Sequence, residues 1–292
     1  MEALELVRLS PLMRLSSGRP EIAIALIDGP VWMDRADLWS GNVQHLGNHL
    51  PATCTRPNST ACTHGTFVAG ILVARRGSQA PAICPDCTLL VRAVFSEETK
   101  SAGGMPSAVP AELAQAILDA VHAGARVINL SLNVIASSTR DERQLEAVLN
   151  YAAARDVIVV AAAGNQGEVG GSPLARHVWP IPVAGADSQG RPTPISNLGR
   201  SIGQRGLRAP SENVASLGST GQIETFSGTS AAAPFVTGAI ALLWSEFPTA
   251  SASAIKLAVA GPDRNARSSV VPPLLDAWAA YQALNTSGSK PS

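Results

Sequence analysis

Phe226-Ser227-Gly228-Thr229-Ser230-Ala231-Ala232-Ala233-Pro234 reads as a tight Gly-Thr turn that delivers one serine to the start of an apolar helix. The continuation from Ala231 to Phe247, AAAPFVTGAIALLWSEF, is almost wholly small or apolar. A helix apolar on every side has to be covered on every side, so it belongs inside a layered fold. Pro234 is expected in the first turn, where a proline removes no helical hydrogen bond. Ser230 is then expected among unpaired N–H groups at the positive end of the helix dipole, a place that favours negative charge. A serine before a helix is ordinarily an N-cap; the rest of the chain decides whether this one is more.

Working outward, the helix is preceded by a series of apolar runs. Glu21-Ile-Ala-Ile-Ala-Leu-Ile27 is a continuous apolar strand of the kind buried on both faces of a parallel sheet, and it stops at Asp28-Gly29-Pro30. Further strands are expected at Thr88–Phe95, Val127–Leu132, Val157–Ala163, Pro180–Ala186 and Leu207–Pro210. Helices are expected from Ala111 to Ala123, from Arg143 to Ala154, near Ala252–Val259 and near Leu274–Leu284. A small-residue helix opens at Thr63-His64-Gly65-Thr66-Phe67-Val68-Ala69-Gly70, with His64 at its mouth. Strands alternating with helices at these spacings mean an α/β fold, a doubly wound and mostly parallel sheet with helices on both faces. Residues 1–20 read as an N-terminal extension, 21–284 as one domain, and 285–292 as a polar, frayed tail. Residues 40–63 and 96–110 read as loops, the first polar and the second rich in Ser, Gly and Pro. His45 and His49, four apart without a helix pattern, are not expected to bind a metal.

Composition narrows the function. Of 292 residues, 46% are hydrophobic and 15% charged, which excludes a disordered chain. Lys plus Arg and Asp plus Glu are 22 each, so there is no electrostatic case for nucleic acid or an anionic membrane. No uninterrupted apolar run is long enough to span a bilayer, and residues 1–20 contain no apolar signal core, so a cytoplasmic location is expected. Cys54, Cys62, Cys84 and Cys87 allow three pairings. Zinc is disfavoured by the Cys54–Cys62 spacing; a Cys54–Cys62 or Cys84–Cys87 bridge stays open. Reduced, packed thiols are the expectation for a cytoplasmic chain.

Asp28 after a strand, His64 opening a helix, Asn165 after a strand and Ser230 opening a helix make up the inventory of serine hydrolysis: an orienting carboxylate, a base, an oxyanion donor and a nucleophile. The Asp…His…Ser order is also that of subtilisin. The chain resembles the subtilisin-like serine proteases in Ala25-Leu-Ile-Asp-Gly-Pro30, His64-Gly-Thr-Phe-Val-Ala-Gly70, Val127-Ile-Asn-Leu-Ser-Leu132, Val160-Ala-Ala-Ala-Gly-Asn165 and Gly228-Thr-Ser-Ala-Ala-Ala-Pro234. These blocks run in family order along nearly the whole chain. The resemblance implies a subtilisin-like single domain and a peptide or precursor-peptide substrate, with no cofactor. It makes Asp28 the orienting carboxylate, His64 the base, Ser230 the nucleophile and Asn165 the oxyanion donor. It also implies that Ser131, Leu132, Asn133, Ala162, Ala163, Gly164 and Gly228 line the substrate site.

Three positions depart from the usual pattern: Gly29-Pro30 follows the aspartate, Asn133 stands where the family has glycine, and Ala231 replaces a bulkier residue. The Asp-Gly-Pro form is similar to the subtilases that process cyanobactin precursors. The loop that supplies calcium ligands in many relatives reads Arg75-Arg76-Gly77-Ser78-Gln79-Ala80-Pro81 here, without a carboxylate, so no structural metal is expected.

Overall fold

The computed structural model describes residues 2–38, 40–47, 50–98, 107–134, 138–261 and 268–288. The chain opens with helices α1 (Glu2–Leu6) and α2 (Leu9–Leu15), followed by β1 (Ala23–Asp28), β2 (Val43–His45), α3 (Thr60–Val73) and β3 (Thr88–Ala93). Next come β4 (Ser107–Ala108), α4 (Pro110–His122), β5 (Val127–Leu130), β6 (Asn133–Val134), α5 (Thr139–Ala154) and β7 (Ile158–Ala162). Then follow α6 (Pro173–Arg176), β8 (Ile181–Ala186), α7 (Arg200–Arg205), β9 (Leu207–Pro210), β10 (Val214–Leu217) and β11 (Ile223–Phe226). Helices α8 (Thr229–Glu246), α9 (Ala252–Ala260) and α10 (Ala277–Gly288) complete the chain.

Seven strands form one parallel sheet in the order β2-β3-β1-β5-β7-β8-β9. The expected doubly wound architecture is therefore present. The order reverses at β1, and such reversals leave a crevice at the carboxyl ends of the strands, where ligands sit in open α/β sheets. Side chains alternate across the sheet. Ile24 and Leu26 of β1 join a core under α3, α8 and the terminal helices, while Ala25 and Ile27 join a second core under α4 and α5. By the same alternation Asp28 falls on the α3/α8 side.

Several boundaries differ from expectation for local reasons. Helix α3 starts at Thr60, because Ser59 caps it by accepting from the Cys62 N–H at 3.1 Å. The stretch read as a polar loop thus holds β2 and the first turn of α3. Helix α5 starts at Thr139, where Ser138 and Asp141 form a reciprocal capping box. Helix α10 runs through Gly288, past the expected stop at Leu284. His49 and residues 99–106, 262–267 and 289–292 lie outside the described residues.

The N-terminal residues pack onto the domain. Val7, Leu9 and Leu12 are fully buried in the α3/α8 core. Arg76 fastens the segment after α2 by donating to the carbonyls of Met13, Ser16 and Ile83. A guanidinium here occupies carbonyl oxygens of the kind a hard cation would seek. Arg76→Met is expected to lower stability by about 2 kcal/mol, roughly 4–8 °C in Tm for a domain of this size. A chelator is expected to leave Tm unchanged. Thermal melts of both settle the point, and a chelator-induced drop of several degrees contradicts it.

Candidate active site

Asp28 ends β1, and the turn after it lies directly against α3. A side chain on Gly29 would run into the Ala61 carbonyl, and one on Gly65 into the carbonyls of Gly29 and Pro30. These two glycines let strand end and helix touch backbone to backbone, which brings Asp28 onto the histidine. His64 Nδ1 donates to Asp28 Oδ1 at 2.6 Å, and the Gly29 N–H donates to the same oxygen at 2.6 Å. A carboxylate oxygen accepts, so this bond fixes a proton on Nδ1 and leaves Nε2 as the ring nitrogen without a partner. Asp28 is 0% exposed and His64 2%; His64 Nε2 has no hydrogen-bond partner among the described residues. His64 sits one turn inside α3, not at its mouth as expected.

Ser230 is the second residue of α8 and is buried, its side chain taking no capping role. Gly228 precedes the helix at φ 133°, a conformation open to glycine, and its N–H donates to the Ser211 carbonyl at 2.8 Å. The helix starts two residues earlier than the sequence suggested. Pro234 is therefore its sixth residue, beyond the first turn, and does remove a helical hydrogen bond. The Ser230 carbonyl accepts instead from Ser131 Oγ at 2.9 Å.

Asn165 follows β7 and faces the same turn. Its Oδ1 accepts from the Thr229 N–H at 2.8 Å and from Thr229 Oγ1 at 3.0 Å, and Thr229 Oγ1 accepts from the Gly164 N–H at 3.2 Å. Two donors on the oxygen orient the amide, so that Nδ2 lies 3.0 Å from where a Gly228 Cβ would stand. The Asn165 amide thus faces the turn that leads into Ser230.

The structure does not bring every expected substrate-site residue to a surface. Leu132, Ala162 and Ala163 are buried, and Ser131 is 0% exposed with its hydroxyl turned to Ser230. Gly164 accepts from the Asn197 N–H at 2.9 Å. The Asn133 backbone pairs with Ser107; its side chain lies outside the description.

Sequence reasoning missed the β10–β11 hairpin, which binds α3 and leads into the serine turn. Ser216 Oγ donates to the Phe67 carbonyl at 2.8 Å, and Ser219 bonds Thr63 Oγ1 at 2.9 Å and the Pro57 carbonyl. The Phe226 ring lies 4.6 Å from Phe67 and 6.2 Å from His64, centroid to centroid. Two short runs, Val214–Leu217 and Ile223–Phe226, flanking Gly218 and Gly221, were the available signal.

Cys54 and Cys62 form a disulfide with Cα atoms 5.7 Å apart, which corrects the expectation of reduced thiols at this pair. Capping by Ser59 curls the chain back so that the first turn of α3 meets residue 54 within bridging range. Glu97 adds a second tie, accepting from the N–H groups of Thr55 and Arg56 and the hydroxyls of Thr55 and Ser59. Burial alone would raise its pKa, but these bonds carry it below the ordinary carboxylate value. Glu97 lies near both sulfurs, but these are bonded to each other and offer no thiolate to a metal. Cys84 and Cys87 are buried free thiols.

Residues 21–260 match the Subtilase family. The chain belongs to the subtilase family. Among curated relatives, this subtilase is 31% identical over 260 residues to Mycosin-3 of Mycobacterium tuberculosis, a match covering 70% of this chain and 56% of the relative. The chain spans about half the length of the curated relatives it matches. Among solved structures it is similar to a mutant of the protease domain of PatA, at 28% identity and TM-score 0.80, covering 92% of this chain and 97% of that one. It is also similar to the prenylagaramide maturation protease PagA, at 27% identity and TM-score 0.78, covering 94% and 98%. No helix among the described residues is long and apolar enough to cross a membrane.

Proposed function

We propose that this subtilase is a serine endopeptidase that cuts peptide precursors at defined places, removing leader segments from ribosomally made peptides. The observation that carries the hydrolytic reading is the buried Asp28–His64 bond, which occupies Nδ1 and leaves Nε2 unpartnered among the described residues. Ser230 Oγ attacks the substrate carbonyl carbon while its proton passes to His64 Nε2. The carbonyl oxygen becomes an oxyanion, held by Asn165 Nδ2 and the Ser230 N–H. When the C–N bond breaks, His64 returns the proton to the leaving amine. Water, deprotonated by the same imidazole, then hydrolyses the acyl-serine. Asp28 holds the ring and stabilises the imidazolium throughout. No cofactor takes part.

The processing role is supported by likeness over nearly the whole chain to PatA and to a maturation protease, and by the Asp28-Gly29-Pro30 turn. A general degradative enzyme is the competing reading. Purified protein is expected to make one dominant cut in the precursor peptide encoded beside its own gene, and few cuts in denatured casein, as mapped by mass spectrometry. Rapid casein cleavage at many sites ends the processing assignment while leaving the hydrolase in place.

A further inference from the structure

We propose that Ser131, backed by Asn129 and Thr237, positions the nucleophile by supplying the hydrogen bond that Pro234 takes away. In an α-helix the N–H of residue i+4 donates to the carbonyl of residue i. For Ser230 that residue is Pro234, which has no N–H. The first turn of α8 is buried, so this carbonyl needs a protein donor. Ser131 Oγ provides it at 2.9 Å.

The hydroxyl is itself held. Asn129 Nδ2 donates to Ser131 Oγ at 2.9 Å, which leaves the single hydroxyl proton for Ser230. Thr237 Oγ1 donates to Asn129 Oδ1 at 2.9 Å. Donors run one way, from Thr237 to Asn129 to Ser131 to the Ser230 carbonyl, and all three side chains are 0% exposed. Because Thr237 is also on α8, the relay leaves that helix, passes over the end of β5 and returns to it two turns earlier. Fixing the carbonyl fixes the peptide plane next to the Ser230 side chain, and with it the direction of Oγ. A hydroxyl engaged on both sides and fully buried has nothing left to offer a substrate. The Ser131 side chain is thus a positioning group.

This inference rests on Ser230 being the nucleophile; one arm of its test does not. The comparison takes Ser131→Ala, Pro234→Ala and the double variant, with Ser131→Thr as the conservative control. Pro234→Ala restores a backbone N–H to the Ser230 carbonyl. Ser131→Ala is expected to slow labelling of Ser230 by a fluorophosphonate roughly tenfold and to lower Tm, because a buried carbonyl loses its donor. Ser131→Thr is expected to keep most of the rate. The double variant is expected to recover most of both losses, a non-additivity that two unlinked sites do not show. Additive losses in rate and Tm overturn the proposal, as does a Ser131→Ala variant that labels normally but has a raised KM for peptides. If Ser131→Ala does not fold, folding of the double variant carries the same decision, and its failure to fold overturns the proposal. If the unaltered protein resists labelling, the peptidase reading fails, while the Tm cycle still decides the relay.

Discussion

Ser230→Ala is expected to abolish covalent labelling by a fluorophosphonate and to cut turnover of a peptide substrate about 10⁶-fold, the loss measured when a subtilisin is deprived of its serine. The effect should be this large because the neighbouring hydroxyls of Thr229 and Ser131 are engaged in bonds of their own. Ser230 is the residue that the Gly228 turn places at the start of α8, among N–H groups without helical partners. Its side chain caps nothing, so the substitution is expected to leave circular dichroism and Tm nearly unchanged. Intact-mass spectrometry after labelling gives the answer. Undiminished labelling of the variant would place the nucleophile elsewhere.

Asn165→Ala carries the second largest expected effect, a fall of ~10²–10³ in kcat with KM little changed, the magnitude for one lost oxyanion donor in a subtilisin. A complication is that Asn165 Oδ1 also holds Thr229 by two bonds. Thr229→Val separates the two roles. It removes the hydroxyl contacts to Asn165 and Gly164 while leaving the Asn165 amide and the Thr229 N–H in place. If Asn165 acts on the oxyanion, Thr229→Val is expected to lose much less activity than Asn165→Ala. Equal losses, or an effect confined to KM, would make Asn165 a brace for the turn.

The central strands of the sheet were legible because β1, β3, β5, β7 and β8 are buried on both faces, and continuous apolar runs have few other uses. Three of the candidate site residues stood out for a related reason: Asp28 ends a strand, Asn165 follows one and Ser230 starts a helix, where polar residues break apolar text. What escaped was set by contacts remote in sequence. Nothing near Ser131 announces that its hydroxyl belongs to a carbonyl 99 residues away. The Pro234 misreading followed from placing the helix start two residues late, a small shift that reverses what a proline does there. The Cys54–Cys62 bridge depends on a helix start that the spacing of eight does not reveal. A bridge of this kind persists where thiols are kept oxidised, which pulls against the cytoplasmic expectation.

Asp28, His64, Asn165 and Ser230 are spread over most of the chain's length, and the hairpin between α3 and the serine turn is among the later parts to be made. Ser230 follows Asp28 by about 200 residues, so at roughly 5–20 residues per second a ribosome completes the serine some 10–40 s after the aspartate. On the proposed assignment, the nascent chain has a base with no nucleophile until α8 emerges and docks beneath the sheet. The same assignment has cutting power arrive only with the finished fold, so that fragments released early by stalled synthesis are expected to be inert towards their neighbours.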